Sequence, residues 1–338
     1  MAKTPNRPTL QHVADLVGVT KMTVSRFLTN PDKVSKPVQQ QIASAIETLG
    51  YIPNRVPNIL SKSNSKVIGV LVPSLSNQVF ADVINGIESI TREAGFQTMF
   101  SHYGYSEAEE EKSIESLLSY QVDGLILAEN NHTKRTLRMI KTAGIPVVEM
   151  MDINSTPIDL AVGFDNVAAA DSMVSAMIES GCRQIHYFAA RMDTRTRLKQ
   201  EGYIQAMNRH NLDTNIQATS TASSVSVGSE LAKDLILQFP DADGIFCTND
   251  DLAIGAFFAC QKLGISVPNQ IAIAGFHGLD IGQVMTPKLA TVVTPRYAIG
   301  QITAKRLLNR IHDEEIITPI INLGYRIELG ESLKSRTI

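Results

Sequence analysis

The chain has 338 residues, of which 43% are hydrophobic and 19% are charged, a composition typical of soluble globular proteins. Its length favours two or three domains, and no apolar run approaches the roughly 18 to 20 residues that a membrane-spanning helix needs. The N-terminal sequence MAKTPNRPTL lacks an apolar signal core, and the three cysteines form no CxxC pair and no metal-ligand spacing. We therefore expect a cytoplasmic protein with reduced thiols, no metal and no cofactor.

The net charge of −3 conceals an uneven distribution. Residues 1–62 hold eight Lys and Arg residues against three Asp and Glu residues, whereas the remainder holds 23 against 31. A basic head on an acidic body indicates that the head meets a polyanion.

The first 50 residues predict three short helices. The first begins after Thr9, follows helical apolar spacing and ends at Gly18, because glycine tolerates the left-handed conformation of a helix C-cap. Thr20 caps the second helix, and Ser35 opens a third that closes at Gly50.

The first two helices form a helix-turn-helix pattern whose second helix is polar and basic on its outer face. An ordinary helical hairpin is the alternative, but the charge segregation and the third helix favour DNA binding. Lys21 and Met22 are expected to meet base edges in the major groove, and Arg26 is suited to bases or phosphates. Expected phosphate contacts, which position the head without reading sequence, are Thr9, Thr20, Ser25 and Asn30.

Residues 51–66, YIPNRVPNILSKSNSK, predict a linker. Within it NRVPNILS can form one or two helical turns capped by Asn54, although so short a helix does not persist alone in water. Leu60 is either a leucine that packs in the hinge or an apolar wedge for the minor groove, and the upstream helix-turn-helix favours the wedge. The predicted minor-groove residues are Asn54, Arg55 and Leu60.

From residue 67 onward, strands alternate with helices, which predicts parallel, doubly wound sheets. The pattern restarts near residue 160 with AVGFD, so we expect two such subdomains with a cleft between them. The predicted helices in this region start near Val79, Glu107, Thr133, Ala168 and Leu198. The predicted strands include VIGVLVP, FQTMFSH, DGLILAE, IPVVEMMD, AVGFD, QIHYFAA, IQATST, DGIFCTN and IAIAGF.

The body carries no GxSxG, HExxH or P-loop signature, and GFHGLDIG lacks the spacing of a dinucleotide fingerprint, so we do not predict an enzyme. Polar residues instead follow the strand ends, which suits a small polyhydroxylated or anionic ligand. Arg195, Arg197 and Lys199 can hold a carboxylate, since Arg pairs with one bidentately. Asn249 equally suits the cap of the helix that begins there.

Several segments together resemble the lactose-repressor (LacI/GalR) family of regulators over nearly the full length. They are LQHVADLVGVTKMTVSRFL, GYIPNR, VIGVLVPSLSNQVFADVINGIE, FCTNDDLAIGA and IAIAGFHGLDIGQVMTPKLATVVTP. Within the family, TKMTVSRFL, SHYGY and CTNDD look most like gluconate-responsive members. Many relatives carry aspartate where His277 stands, which disfavours a plain pyranose or nucleoside as the ligand.

The resemblance implies a homodimer that reads pseudo-palindromic operator DNA and binds an effector, gluconate or a related sugar acid, between two periplasmic-binding-protein-like α/β subdomains. It matches Lys21, Met22 and Arg26 to base reading and Leu60 to the minor-groove wedge. The expected domains are 1–52, a hinge at 53–66 and a core at 67–338, divided into 67–163 with 294–322 and 164–293 with 323–338. The expected effector residues are Ser74, Asn77, Phe80, Asp165, Arg195, Arg197, Lys199, Asn249 and His277.

We therefore predict a transcriptional repressor of sugar-acid genes that a small-molecule inducer releases from its operator. The same family with another sugar acid, a sugar phosphate, a purine or a corepressor remains an alternative. A periplasmic-type solute-binding protein is disfavoured by the basic head and the missing signal.

Overall fold

The computed structural model describes residues 7–54 and 64–334, and they fall into two compact units that divide between Ser65 and Lys66. Within these described ranges, no helix combines the length and apolarity needed to span a membrane. All three cysteines are buried and free, and burial raises the pKa of Cys182 to about 11.

The N-terminal unit contains the three predicted helices, α1 (Leu10–Val17), α2 (Lys21–Thr29) and α3 (Lys36–Leu49). Both predicted C-cap glycines adopt the left-handed conformation, with φ of 73° at Gly18 and 60° at Gly50. The three helices enclose a small core. Its fully buried members are Val13, Ala14, Val24, Ile42, Ala45 and Tyr51.

The first sheet of the larger unit has six parallel strands in the order β11-β5-β4-β3-β1-β2. Two of its helices approach each other closely, because a Cβ on Gly86 would lie 2.2 Å from the carbonyl oxygen of Tyr297. The strands are β1 (Val67–Val72), β2 (Gln97–His102), β3 (Gly124–Leu127), β4 (Val147–Met150), β5 (Leu160–Gly163) and β11 (Ile320–Asn322). The helices packed on them are α4 (Val79–Glu93), α5 (Glu107–Ser119), α6 (Lys134–Ala143) and α12 (Arg296–Ile311).

The strand pattern alone predicts a restart at AVGFD, which is one strand too early, whereas the subdomain bounds implied by the family resemblance assign residues 160–163 to the first subdomain. β5 belongs to the first sheet, where it pairs with β4 on one side and β11 on the other. All four of its residues are buried, as in any central strand of a covered parallel sheet, so the apolar run alone did not reveal which sheet it joins.

The second sheet has the order β12-β10-β9-β8-β6-β7, with only β12 antiparallel among its described strands. Its strands are β6 (Ile185–Ala190), β7 (Asn215–Thr219), β8 (Gly244–Cys247), β9 (Ala272–His277), β10 (Ala290–Val293) and β12 (Arg326–Glu328). The remaining helices are α7 (Asn166–Glu179), α8 (Thr194–Arg209), α9 (Val225–Gln238), α10 (Asp250–Lys262) and α11 (Asp280–Val284). The α8 helix begins four residues before the predicted Leu198, and neither α9 nor α12 was among the predicted helices.

The chain passes from the first sheet to the second after β5, returns after β10 and crosses again after β11. Three parallel connections of this kind allow the two sheets to move as rigid bodies about a hinge.

Candidate functional site

In the N-terminal unit, α2 presents two opposite faces. The Oγ1 of Thr20 accepts a hydrogen bond from the backbone N–H of Thr23 at 3.2 Å, which caps the helix, and Val24 is fully buried. On the outer face Met22 is 70% exposed. Lys21, Ser25 and Arg26 are also exposed on this face.

This exposed face of α2 carries the three predicted base-reading residues. Lys21 and Met22 lie in the first turn of α2, and Arg26 lies one turn further along on the same side, since residues four apart are neighbours on a helix. Thr9 and Thr20 are exposed at the helix N-caps and Asn30 at the C-cap of α2. Of the predicted minor-groove residues, Asn54 ends the first described range. Arg55 and Leu60 lie outside the described residues, as does most of the predicted hinge helix.

In the larger unit, the carboxyl ends of both sheets border one cavity, as expected for ligand sites of parallel sheets. The cavity, named the inner cavity below, is small and opens to solvent at its mouth. Its lining from the first sheet comprises Asn77, Val79, Phe80, Tyr105 and Met151. Its lining from the second sheet comprises Arg191, Asp193, Arg195, Thr196, Lys199, Thr248, Asn249 and His277.

Lys199, in the second turn of α8, is only 4% exposed. Its Nζ donates to the carbonyl oxygen of Thr248 at 3.0 Å, lies 3.0 Å from Nε2 of His277 and sits 4.0 Å above the ring of Phe276. Burial lowers the pKa of Lys199 to about 7. The ammonium is thus only partly formed at neutral pH, and an anion in the cavity would stabilise it.

His277 ends β9 in a left-handed backbone conformation, with φ of 102°. Burial, followed by the charge of Lys199, holds the pKa of His277 well below its ordinary value, so the imidazole is neutral. Its Nδ1 lies 3.2 Å from the hydroxyl oxygen of Thr294. With Nδ1–H donated to Thr294, the Nε2 lone pair accepts a hydrogen bond from the Lys199 ammonium.

Arg195 joins the two sheets across the cavity. Its guanidinium donates to the carbonyl oxygen of Ala128 at the end of β3 and lies 3.8 Å from the carboxylate of Glu129. Although burial opposes the charged form, Glu129 and Asp193 raise the pKa of Arg195 above its ordinary value. Arg195 is therefore a permanent cation that is already paired with the first sheet.

Asn249 combines capping with a place in the cavity wall, so both alternatives raised by the sequence apply to it. Its Oδ1 accepts from the backbone N–H of Leu252 at 3.4 Å and from the hydroxyl of Ser223 at 2.8 Å. The neighbouring Asp250 points into the protein, where it accepts from the backbone N–H of Leu279 at 2.5 Å and from Thr291 at 2.7 Å. Burial raises the pKa of Asp250 to about 7.

Six of the nine predicted effector residues line the inner cavity, and three do not. The hydroxyl of Ser74 lies 3.0 Å from that of Ser76. Arg197 is exposed and lines an adjacent chamber. Asp165 caps α7 through the backbone N–H of Ala168 at 2.9 Å and accepts from Asn154. Sequence reasoning did not single out Tyr105, Met151 or Thr248, although Met151 and Thr248 directly follow a strand and Tyr105 comes shortly after β2.

Comparison with known proteins identifies the family. Residues 9–54 match the model described as bacterial regulatory proteins of the lacI family. Residues 65–325, most of the chain, match the model of periplasmic binding proteins and the sugar-binding domain of the LacI family. The chain belongs to the LacI family.

Its relatives are regulators. The chain is 55% identical to the HTH-type transcriptional regulator GntR of Escherichia coli K12 over 97% of this chain and 99% of the relative. It is 45% identical to the HTH-type transcriptional regulator IdnR of the same strain over 97% and 99% of the two chains.

Solved structures agree. A LacI-family regulator from Silicibacter pomeroyi superposes with a TM-score of 0.92 at 32% identity, covering 97% of this chain and 100% of that one. The GntR regulator from Chromobacterium violaceum gives a TM-score of 0.78 at 33% identity, covering 80% and 100%. This LacI-family protein is a DNA-binding transcriptional regulator rather than an enzyme, and its fold class is confirmed.

Proposed function

We propose that the protein represses sugar-acid genes and that gluconate, or a closely related sugar acid, releases it from its operator. The observation that carries this proposal is the buried Lys199 ammonium, which faces a cavity bordered by amide, hydroxyl and imidazole groups. A carboxylate pairs with the ammonium, and a polyol chain satisfies the surrounding hydrogen-bonding groups. The identity to regulators named GntR and IdnR supports the same effector class.

The proposed protein acts as a cytoplasmic homodimer on pseudo-palindromic DNA. Residues 1–52 form the head, 53–66 the hinge and 67–338 the effector and dimerisation core. Lys21, Met22 and Arg26 read bases, the phosphate contacts come from Thr9, Thr20, Ser25 and Asn30, and Asn54, Arg55 and Leu60 enter the minor groove. One core conformation favours operator binding, and an effector that prefers the other shifts the population by no more than its differential affinity.

Fluorescence anisotropy tests this function on a duplex that the protein itself selects from a random library. We expect binding that weakens steeply with salt, because phosphate contacts release counterions, and dissociation on addition of D-gluconate. Arg26→Ala should weaken binding to the selected duplex more than binding to a scrambled one.

Tight binding that gluconate leaves unchanged contradicts the proposed effector but not the DNA function. If gluconate tightens DNA binding instead of weakening it, gluconate acts as a corepressor rather than an inducer. Binding that salt does not affect contradicts the proposed phosphate contacts.

A further inference from the structure

A second chamber adjoins the inner cavity and is named the outer chamber here. It encloses about 650 Å³ including its opening to solvent. Tyr105, Arg191 and Asp193 line both spaces, whereas Lys199 and His277 line only the inner cavity. These three shared residues therefore form the partition between the two spaces.

The partition is built from both halves of the core. The guanidinium of Arg191, which follows β6 in the second sheet, stacks 3.9 Å from the ring of Tyr105, which follows β2 in the first. The amide of Asn77 donates to the hydroxyl of Tyr105 at 3.1 Å. On the other side, Nε of Arg191 lies 3.8 Å from the carboxylate of Asp193. Each half of the stack is thus anchored by a neighbour in its own half of the core.

Both residues of the stack have a strained backbone conformation. Tyr105 has φ of 63° and Arg191 has φ of 64°, a left-handed conformation that side chains other than those of Gly, Asn and Asp rarely adopt. Such strain persists only where the surrounding structure fixes it, and it concentrates at ligand clamps. Two residues with this backbone conformation thus meet face to face across the cleft.

We propose that the Tyr105–Arg191 stack limits the effector to the size of a single sugar acid. This inference rests on the proposed function and adds an upper limit to the size of the effector. A ligand whose carboxylate pairs with Lys199 lies on the inner side of the partition, and a longer ligand meets the stacked side chains.

The outer chamber determines what passes once the partition is opened. Its lining contains the carboxylates of Glu107, Glu110, Glu129 and Asp193 together with Arg191 and Arg197. His132 and Arg195 lie against Glu110 and Glu129, so the charges of the chamber are largely paired. A neutral sugar unit fits these hydrogen-bonding groups, and opening the partition therefore admits a disaccharide acid.

The test compares the affinities of gluconate and lactobionate (gluconate carrying a galactosyl unit), measured by isothermal titration calorimetry. Tyr105→Gly and Arg191→Gly remove the stack while keeping the left-handed backbone unstrained. Tyr105→Phe keeps the ring, and Tyr120→Ala removes a tyrosine that is 62% exposed elsewhere. Thermal unfolding of each variant verifies that it is folded.

We expect wild type, Tyr105→Phe and Tyr120→Ala to prefer gluconate over lactobionate by more than about tenfold, and both glycine variants to lose at least about tenfold of that preference. Glycine variants that bind gluconate with an unchanged preference would overturn the size limit alone. A wild-type protein that binds lactobionate as tightly as gluconate would do the same, whereas one that binds no gluconate would refute the proposed effector and the size limit with it.

Discussion

The two walls of the inner cavity differ in charge. The five described residues that line it from the first sheet are neutral, with Asn77 and Tyr105 as their polar members. The second sheet supplies Lys199, Arg191, Arg195 and Asp193 together with the neutral His277. The comparison indicates a division of work in which the second wall recognises the anion and the first wall sets shape and hydrogen bonding.

Replacing Lys199, the central cation of the second wall, is expected to have the largest effect on gluconate affinity. Lys199→Met keeps the length and burial of the side chain but removes the ammonium. We expect gluconate affinity to fall about 100-fold, since a buried charge-assisted hydrogen bond contributes about 2 to 3 kcal/mol. Calorimetry measures the change, with the exposed Lys262→Met as the matched control. A loss shared equally by both variants would contradict the role of Lys199.

The pH dependence of affinity is expected to have the next largest effect. Burial lowers the pKa of Lys199 to about 7 in the free protein, and a bound carboxylate raises it. Gluconate affinity should therefore be greatest below pH 7 and decline as the pH rises through 7, by up to about tenfold per pH unit. The slope should vanish in Lys199→Met. An affinity that rises with pH would show that the lysine does not meet an anion.

A change in the first wall should lower gluconate affinity less. Asn77→Ala removes a neutral amide that donates to Tyr105, and such a hydrogen bond contributes about 1 kcal/mol. We expect about a fivefold loss of gluconate affinity, with the pH dependence unchanged. If this variant loses as much as Lys199→Met, the proposed division between the walls is wrong.

The smallest effect on binding is expected at Asp165, which caps α7 and does not line the inner cavity. Asp165→Ala should lower the free energy of unfolding by about 1 kcal/mol, the usual contribution of an N-cap. Urea denaturation measures that loss, and calorimetry should find gluconate affinity unchanged. A change in gluconate affinity at unchanged stability would support the original prediction that Asp165 contacts the effector.

Much of the fold follows from local patterns. Strand and helix alternation correctly predicted two doubly wound sheets, and Gly18 and Gly50 correctly marked helix ends. The strand pattern alone assigned β5 to the wrong sheet, because its four apolar residues suit any covered strand and its partners β4 and β11 are set by long-range pairing. The start of α8 was placed late because Thr194 to Arg197 carry no apolar periodicity.

The site was predictable to a similar degree. Polar residues past strand ends identified Lys199, Asn249 and His277, because parallel strands bring their carboxyl ends to one edge. The partition was not predictable, since the stack of Tyr105 on Arg191 depends on two left-handed backbone positions in different halves of the core. No local sequence pattern predicts this contact between the two side chains.

The central claim is that the second wall selects an anion, and one calorimetric comparison tests it most directly. Gluconate and sorbitol differ by a carboxylate in place of a terminal alcohol, and each is titrated into wild type and Lys199→Met. We expect wild type to bind gluconate at least about 100-fold more tightly than sorbitol, and the variant to bind the two within about fivefold of each other. Equal binding of both ligands by wild type, or an undiminished preference in the variant, would contradict the claim.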